Sequence, residues 1–268
     1  MNKIAGTLLC FDRYDYTKLV VESLENCVEA DDIDWYVFQD GVKSPLSEIE
    51  YTTQEKLDKV KTIFENSSLN IIEFKQSDWN MSIPFQKHQA HKVFEMGYET
   101  AFFFEDDMVV SKYYLRLLKI MAKQFPNDIG FLFNTTNSNN LHRLTSCGAA
   151  RLWGYYMNQV LYEKIKPTYE HYIKQVTQID YNSHWLFTEK KKSLDLPFGR
   201  PHDITLTRLS KSKGARKFVP VTTRATYIGR KGNLAYRTDR TWFKKGMNRQ
   251  PKRIEYPEDA TLESFRLT

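Results

Sequence analysis

Three consecutive acidic residues, Glu105, Asp106 and Asp107, directly follow the short apolar segment 101–104. Adjacent carboxylates repel one another, and burial raises their affinity for protons unless a cation offsets the charge. Mg²⁺ and Mn²⁺ prefer oxygen ligands, and Mg²⁺ is commonly held by one or two carboxylates together with substrate phosphates. The cluster therefore predicts a Mg²⁺ or Mn²⁺ site that binds a nucleoside diphosphate group. The alternative is a helix N-terminus, where acidic residues are also favoured.

Polar residues also follow two earlier apolar segments. Asp12 and Arg13 come after residues 4–10, and Asp40 comes shortly after residues 35–38. If these segments are parallel strands, their carboxyl ends meet at the sheet edge where ligands bind in open α/β folds. Arg13 is suited to hold a phosphate or stack on a base, and Asp40 to accept a hydrogen bond from a base N–H. Each of them alone is also a common turn residue.

Two later segments carry further candidates. Arg224 precedes the segment 227–232, in which Arg230 and Lys231 stand between two glycines. Glycine permits close backbone approach and the two cations can neutralise phosphates, so this segment predicts a loop that closes over a diphosphate; an ordinary basic turn is the alternative. Asp203 begins a helical pattern and is suited to act as a general base on an acceptor hydroxyl, or only to cap that helix.

Short apolar segments alternate with amphipathic helices in the first half of the chain. This order is typical of an α/β fold with a mostly parallel sheet. Strands are predicted at residues 4–10, 35–38, 70–74 and 101–104 and around Phe131; helices are predicted around Val20, Leu57 and Tyr114, over 84–96 and over 155–165, the last ending near Pro167. These elements bring the acidic cluster and the earlier polar residues to one edge of the sheet.

Composition excludes several classes of protein. A chain of 268 residues with 41% hydrophobic and 27% charged residues is long and apolar enough to form a folded core, and it is neither disordered nor collagenous. Three widely spaced cysteines do not form a disulfide framework, so a reducing compartment is expected. No stretch approaches the roughly 18 apolar residues of a membrane span. A cytoplasmic protein is therefore expected.

Positive charge is concentrated near the end of the sequence. Residues 201–268 contain 16 Lys and Arg against 6 Asp and Glu. Trp242, Lys244 and Lys245 are part of a segment in which basic and aromatic residues alternate, a pattern that suits a phosphate backbone and exposed bases. An anionic acceptor is predicted there, although a solvated basic surface and aromatic core residues are the alternative.

In their order along the chain, these motifs resemble those of GT-A fold glycosyltransferases, above all the N-acetylglucosaminyltransferase that initiates hybrid N-glycans and its soluble bacterial and phage-type relatives. The matching stretches are 9–13, 38–41, the helix around His88, 104–107, 153–154 with the following helix, and 224–232. The resemblance implies a Rossmann-like, mostly parallel GT-A domain over residues 1–235, with a nucleotide-sugar half at 1–135 and an acceptor half at 136–235. Residues 236–268 are expected to form a basic extension packed on it.

The resemblance also implies roles for single residues. Its donor contacts, carried over position by position, are Arg13, Asp40 and His88 at the uracil of a UDP-sugar, Asp106 at the ribose, Glu105 at the sugar and Asp107 at a Mn²⁺ or Mg²⁺ ion. In that family the catalytic base lies 21 residues before the arginine that matches Arg224, which implies Asp203. Asp180 is a second candidate for the base. Asp12 and Arg224 are further expected contacts of the nucleotide sugar. Enzymes of this type invert the anomeric centre.

The sequence does not decide between several acceptors and functions. The basic, aromatic segment favours a hydroxylated base in DNA, extruded from the stack, and a cell-envelope glycan or lipid-linked acceptor is the alternative. Two other classes remain: a metal-dependent nucleotidyltransferase, which would need well-separated acidic ligands around two metals, and a non-catalytic nucleic-acid-binding module, which would leave residues 105–107 without a role.

Overall fold

The computed structural model describes residues 3–134, 138, 140–147, 152–182, 202–229 and 254–267. Within these residues the strands are β1 Ile4–Cys10, β2 Ile33–Gln39, β3 Ile71–Gln76, β4 Thr100–Glu105, β5 Met108–Val110, β6 Ile129–Phe131, β7 Arg143–Ser146, β8 Tyr155–Asn158, β9 Lys217–Pro220, β10 Ala225–Tyr227 and β11 Arg266–Leu267. The helices are α1 Tyr14–Glu25, α2 Gln54–Glu65, α3 Ser82–His91, α4 Tyr114–Gln124, α5 Gln159–Val176 and α6 His202–Ser212. No helix among the described residues is long and apolar enough to cross a membrane.

A nine-stranded mixed sheet, flanked by helices, organises the described residues. Its strand order is β11-β7-β9-β6-β8-β4-β1-β2-β3, and β5 and β10 form a separate antiparallel pair. Strands β4, β1, β2 and β3 are parallel neighbours, so their carboxyl ends point to the same edge. The predicted α/β fold with a mostly parallel sheet is confirmed.

The four parallel strands lie where the apolar segments predicted them. β1 and β4 are adjacent at the centre of the sheet, and residues 101–104 of β4 are all buried. Such strands need no alternation of polar and apolar residues because helices cover both faces. The helix predicted around Val20 is α1, which ends at Glu25.

The prediction of a helix over residues 155–165 that ends near Pro167 is wrong at both ends. Residues 155–158 form β8, which pairs antiparallel with β4 on one side and β6 on the other. All four residues are buried, which hides the period of two that would have marked a strand.

Helix α5 continues through Pro167 to Val176. A proline inside a helix costs about 3 kcal/mol because it removes a backbone hydrogen bond and its ring meets the preceding turn. The turns after it bury Tyr169, Tyr172, Ile173 and Val176. Burying a side chain such as isoleucine or valine contributes about 1.5–3 kcal/mol. The buried stripe therefore outweighs the proline.

The last described segment joins the same sheet. Strand β11 pairs with β7, and the backbone of Phe265 exchanges two hydrogen bonds with the side chain of Gln124 in α4. A buried ion pair connects this segment to the residue before β10: Arg224 Nη2 and Nε lie 2.8 and 3.0 Å from the two carboxylate oxygens of Asp259. Both side chains are almost completely buried.

This position gives Arg224 an internal structural role, and its contact with a nucleotide sugar stays a prediction. Its Nη1 and Nη2 also donate to the backbone oxygens of Thr222 and Leu141, so each guanidinium nitrogen already bonds to the protein. A guanidinium with five rigid donors suits such an internal anchor, since it satisfies a carboxylate and two carbonyl groups at once. Arg224 therefore holds the chain together rather than facing the sheet edge.

We expect Arg224→Met to lower the free energy of unfolding by about 3–5 kcal/mol, because it leaves the carboxylate of Asp259 buried without its partner. Urea unfolding measures this loss. The double variant Arg224→Met/Asp259→Leu removes both charges and is expected to recover most of the stability. A single variant as stable as the wild type would contradict the anchoring role.

Candidate active site

The carboxyl ends of three parallel strands form the floor of the candidate site. In the register of the sheet, Leu9 of β1 lies opposite Glu105 of β4, and Cys10 lies opposite Gln39 of β2. The polar residues that follow these strands are therefore neighbours in space although they are far apart in sequence. This confirms the predicted meeting of the strand ends, from which Arg13 and the acidic cluster extend.

Arg13 links the start of α1 to the acidic cluster. Its Nη2 forms a short ion pair with Asp106 and lies 3.1 Å from Asp107 Oδ2. Asp106 is buried and also accepts hydrogen bonds from the backbone N–H of Phe11 and the hydroxyl of Thr17. Asp106 therefore fixes the β1–α1 turn from inside, and its contact with a ribose stays a prediction.

Asp107 is the member of the cluster that lacks a full set of partners. The residue is 6% exposed, and its Oδ1 is buried with no hydrogen-bond partner among the described residues. Burial raises the pKa of this carboxyl to about 7, against the opposing effect of Arg13. Keeping Asp107 ionised in this position thus calls for a second cation.

The cluster is not a helix N-terminus. Strand β5 follows Asp107 directly, and α4 begins only at Tyr114. Within the described part of the chain, no three His, Cys, Asp or Glu side chains come together as a metal site. Mg²⁺ beside phosphates is commonly held by only one or two carboxylates, so Asp107 remains the predicted protein ligand.

The backbone that follows β10 lies against Asp107. Ile228 N–H donates to the backbone oxygen of Asp107 over 2.8 Å, and Tyr227 Oη donates to the backbone oxygen of Gly229. A Cβ placed on Gly229 would lie 2.6 Å from Asp107 Oδ2 and 2.5 Å from Tyr227 Oη. Only glycine permits this approach, so the segment that begins at Gly229 starts beside the candidate metal ligand.

A buried lysine joins the acidic cluster to the start of α6. Lys87 Nζ lies 2.7 Å from Glu105 Oε1 and 2.9 Å from Asp203 Oδ1. The Lys87 side chain is 3% exposed, whereas that of Asp203 is 23% exposed. Asp203 thus lies next to the donor-side carboxylates with part of its own carboxylate open.

Sequence reasoning missed Lys87 because it pointed to the neighbouring His88. No sequence pattern marked it, because the buried residues of α3 include the polar Ser82, Gln86 and His91 and form no apolar face. A lysine is almost never fully buried unless it is paired, so it is the burial seen in the structure that points to acidic partners.

The two carboxylates on Lys87 have opposite pKa shifts. Burial raises the pKa of Glu105, aided by repulsion from Asp203 and opposed by Lys87. Burial also acts to raise the pKa of Asp203, but Lys87 and His202 outweigh it and hold this pKa at about 2. Asp203 therefore stays ionised at neutral pH, as a proton acceptor must.

Asp180, the other candidate base, lies in a different environment. Its Oδ2 accepts a short hydrogen bond from Ser47 and one of 2.8 Å from Tyr51, and its Oδ1 accepts from the backbone N–H of Asn182. The carboxylate connects the end of α5 to the loop 44–51. These contacts favour a structural role and leave Asp203 as the better placed base.

Asp40 binds the start of α3 instead of an open pocket. Its carboxylate accepts hydrogen bonds from the backbone N–H groups of Gly41, Met81 and Ser82 and from the side chain of Gln86. Burial raises its pKa to about 6, although these hydrogen bonds oppose the shift. These bonds fix the start of α3, and with it Lys87, and the contact of Asp40 with a base stays a prediction. Asp12, by contrast, is partly exposed in the turn after β1.

His88 faces α5 rather than the sheet edge. Its ring packs edge-on against Tyr169 at 5.8 Å between centroids, and neither ring nitrogen has a hydrogen-bond partner among the described residues. Burial, with the nearby charge of Lys92, lowers its pKa to about 4. The contact of His88 with uracil stays a prediction.

We expect His88→Phe to fold at least as stably as the wild type at pH 7 and to gain on it at pH 5. Because the folded pKa is depressed, unfolding takes up a proton between about pH 6.5 and 4, and this uptake destabilises the wild type as the pH falls. Thermal unfolding at both pH values measures the difference, with the exposed His171→Phe as the control. A variant less stable than the wild type at pH 5 would contradict this assignment.

Five predicted site residues lie outside the described residues: Arg230, Lys231, Trp242, Lys244 and Lys245. Their proposed roles at the diphosphate and the acceptor therefore stay predictions.

The sequence matches no family model and no curated protein. Solved structures with a similar fold include S. aureus TarS 1–349 in complex with UDP-GlcNAc (14% identity, TM-score 0.43, 60% of this chain and 46% of that chain). Others are the same fragment in complex with UDP (13%, 0.41, 66% and 53%) and S. aureus TarS (13%, 0.42, 61% and 29%). This chain thus spans about half or less of the structures it resembles. The finer resemblance to an N-acetylglucosaminyltransferase stays a prediction.

Proposed function

We propose that this protein is a glycosyltransferase that moves a sugar from a UDP-sugar to an acceptor hydroxyl, with inversion at the anomeric carbon. The observation that carries the proposal is the pairing of Glu105 and Asp203 on one buried ammonium group. The pair brings a partly open, ionised carboxylate next to the acidic cluster at the carboxyl ends of the parallel strands. Ligands of open α/β sheets bind at this edge.

The donor side of the site is built for a diphosphate. Arg13 supplies a fixed positive charge, and its side chain is 23% exposed. Asp107 is the residue that would hold Mn²⁺ or Mg²⁺, and its partnerless Oδ1 fits that role. When bound, such an ion supplies positive charge that stabilises the departing UDP.

Asp203 takes the role of general base. It accepts the proton of the acceptor hydroxyl while that oxygen forms a bond to the anomeric carbon, and the bond from this carbon to the UDP oxygen breaks with its electron pair leaving on UDP. A single base is sufficient for such a direct displacement, which inverts the anomeric centre. The reaction therefore needs no covalent intermediate on the protein.

The acceptor is proposed from charge alone. The excess of Lys and Arg after residue 200 favours an anionic acceptor, with a hydroxylated base in DNA as the specific prediction and a cell-envelope or lipid-linked glycan as the alternative. DNA binding through phosphates weakens steeply with salt, so acceptor binding that does not change with salt would count against DNA.

Release of UDP from a panel of UDP-hexoses and UDP-pentoses, with Mn²⁺ and with EDTA, tests the proposed function. We expect Mn²⁺-dependent release from at least one donor, above the release by Asp203→Asn. Turnover confined to nucleoside triphosphates would favour a nucleotidyltransferase instead. Binding of DNA without binding of any nucleotide would favour a non-catalytic module.

A further inference from the structure

Lys87 connects parts of the chain that are remote in sequence. Its Nζ contacts Glu105 at the end of β4 and Asp203 in the first turn of α6, 18 and 116 positions away. The backbone oxygen of Lys87 lies 2.6 Å from His91 Nδ1, and His91 in turn stacks on Phe103 of β4. The lysine is therefore held from both ends: its backbone by the packed interior and its ammonium by two carboxylates.

The contact leaves the two oxygens of Asp203 unequal. Oδ1 is 2.9 Å from Lys87 and 3.4 Å from His202 Nδ1, so this oxygen is directed into the protein. His202 is itself fixed by Tyr169, whose hydroxyl lies 2.7 Å from His202 Nε2. Among the described residues these contacts are all made by Oδ1, which leaves Oδ2 for an acceptor hydroxyl.

Removing the ammonium would change the geometry as well as the charge. Without it, Glu105 and Asp203 become two neighbouring, partly buried carboxylates that repel one another. Asp203 is the more exposed of the two, and it is the one with room to turn towards solvent. Displacing a catalytic group by about 1 Å can cost about 100-fold in rate.

We infer that Lys87 is a positioning residue, which holds Asp203 in place for proton abstraction by binding its Oδ1 and fixing it to the donor-side carboxylate Glu105. This inference rests on the proposed function, because it assigns Lys87 a role through the proposed base. It predicts a defect in turnover and not in binding of the nucleotide.

The test compares Lys87→Met and Asp203→Asn, singly and together. For Lys87→Met we expect Mn²⁺-dependent UDP release to fall about 100-fold, with the affinity for UDP and Mn²⁺ within about threefold of the wild type. In the Asp203→Asn background the same change is expected to cost less than about threefold, since residues that act as a unit are not additive. Lys87→Arg keeps the charge and should retain more turnover than Lys87→Met.

Two results would overturn the inference while leaving the proposed function intact. One is a loss from Lys87→Met that is as large in the Asp203→Asn background as in the wild type. The other is a loss of UDP affinity that matches the loss of turnover. If Lys87→Met does not fold, Lys87→Gln and Lys87→Gln/Asp203→Asn, which also remove the charge, provide the same comparison. A wild-type protein that releases UDP from no donor would overturn the proposed function itself.

Discussion

Asp203→Asn is expected to lower Mn²⁺-dependent UDP release about 1,000-fold, since a general base contributes roughly 10²–10⁴-fold to a rate. Asparagine has nearly the same shape as aspartate but cannot accept the proton. Lys87 still has Glu105 as a partner, so the fold should survive the change. Affinity for UDP and Mn²⁺ is expected to stay within about threefold of the wild type, because Asp203 contacts neither in this account.

The matched comparisons separate the base from its surroundings. Asp31→Asn, an exposed aspartate of the turn before β2, controls for the change of residue type. Asp180→Asn tests the other candidate base and is expected to affect stability more than turnover, since three groups donate to that carboxylate. Normal release by Asp203→Asn together with loss of release by Asp180→Asn would move the base to Asp180.

Asp107→Asn is expected to weaken binding of UDP in the presence of Mn²⁺ at least 100-fold. The amide is a poorer ligand for a hard divalent cation than a carboxylate, and no second acidic side chain of the cluster is free, since Asp106 pairs with Arg13 and Glu105 with Lys87. Calorimetric titration of UDP with Mn²⁺ and with EDTA measures the effect. In EDTA, the variant and the wild type should bind UDP alike.

Thermal unfolding without metal serves as the control for Asp107→Asn. Burial disfavours the charged form of Asp107, so a neutral amide in its place should leave the metal-free protein at least as stable as the wild type. A variant that is stable yet binds UDP and Mn²⁺ normally would contradict the assignment of Asp107 as metal ligand.

The fold was predictable where one physical cause dominates. Strand β1 was predicted with its observed ends, and the helix around Leu57 is α2, because burial and periodicity agree there. Strand β8 was not predictable, since a strand paired on both sides and buried on both faces has no period of two. The helix after it was predicted to end near Pro167, because the local cost of a proline is visible in the sequence and the burial of the turns beyond it is not.

The candidate site was predictable in outline but not in its detail. The meeting of the strand ends follows from parallel pairing, which brings Arg13 to the acidic cluster. Which carboxylate faces inward is decided by contacts that the sequence does not show: Asp106 is enclosed by Arg13, Phe11 and Thr17, whereas Asp107 keeps a partnerless oxygen.

Ion pairs between segments that are distant in the sequence could not be predicted either. Asp203 contacts Lys87 and Arg224 contacts Asp259 across separations of 116 and 35 residues. Charge and residue type mark both arginine and lysine as candidates for a phosphate. Only burial distinguishes an anchor inside the protein from a ligand at the sheet edge.

A crystal structure with Mn²⁺ and UDP tests the central claim most directly. We expect the ion, located by its anomalous signal, to bind both the carboxylate of Asp107 and the diphosphate. Asp203 should keep its ion pair with Lys87, and its Oδ2 should face the side of the donor where the acceptor enters. A diphosphate bound elsewhere, with Asp107 in contact with neither ion nor nucleotide, would contradict it.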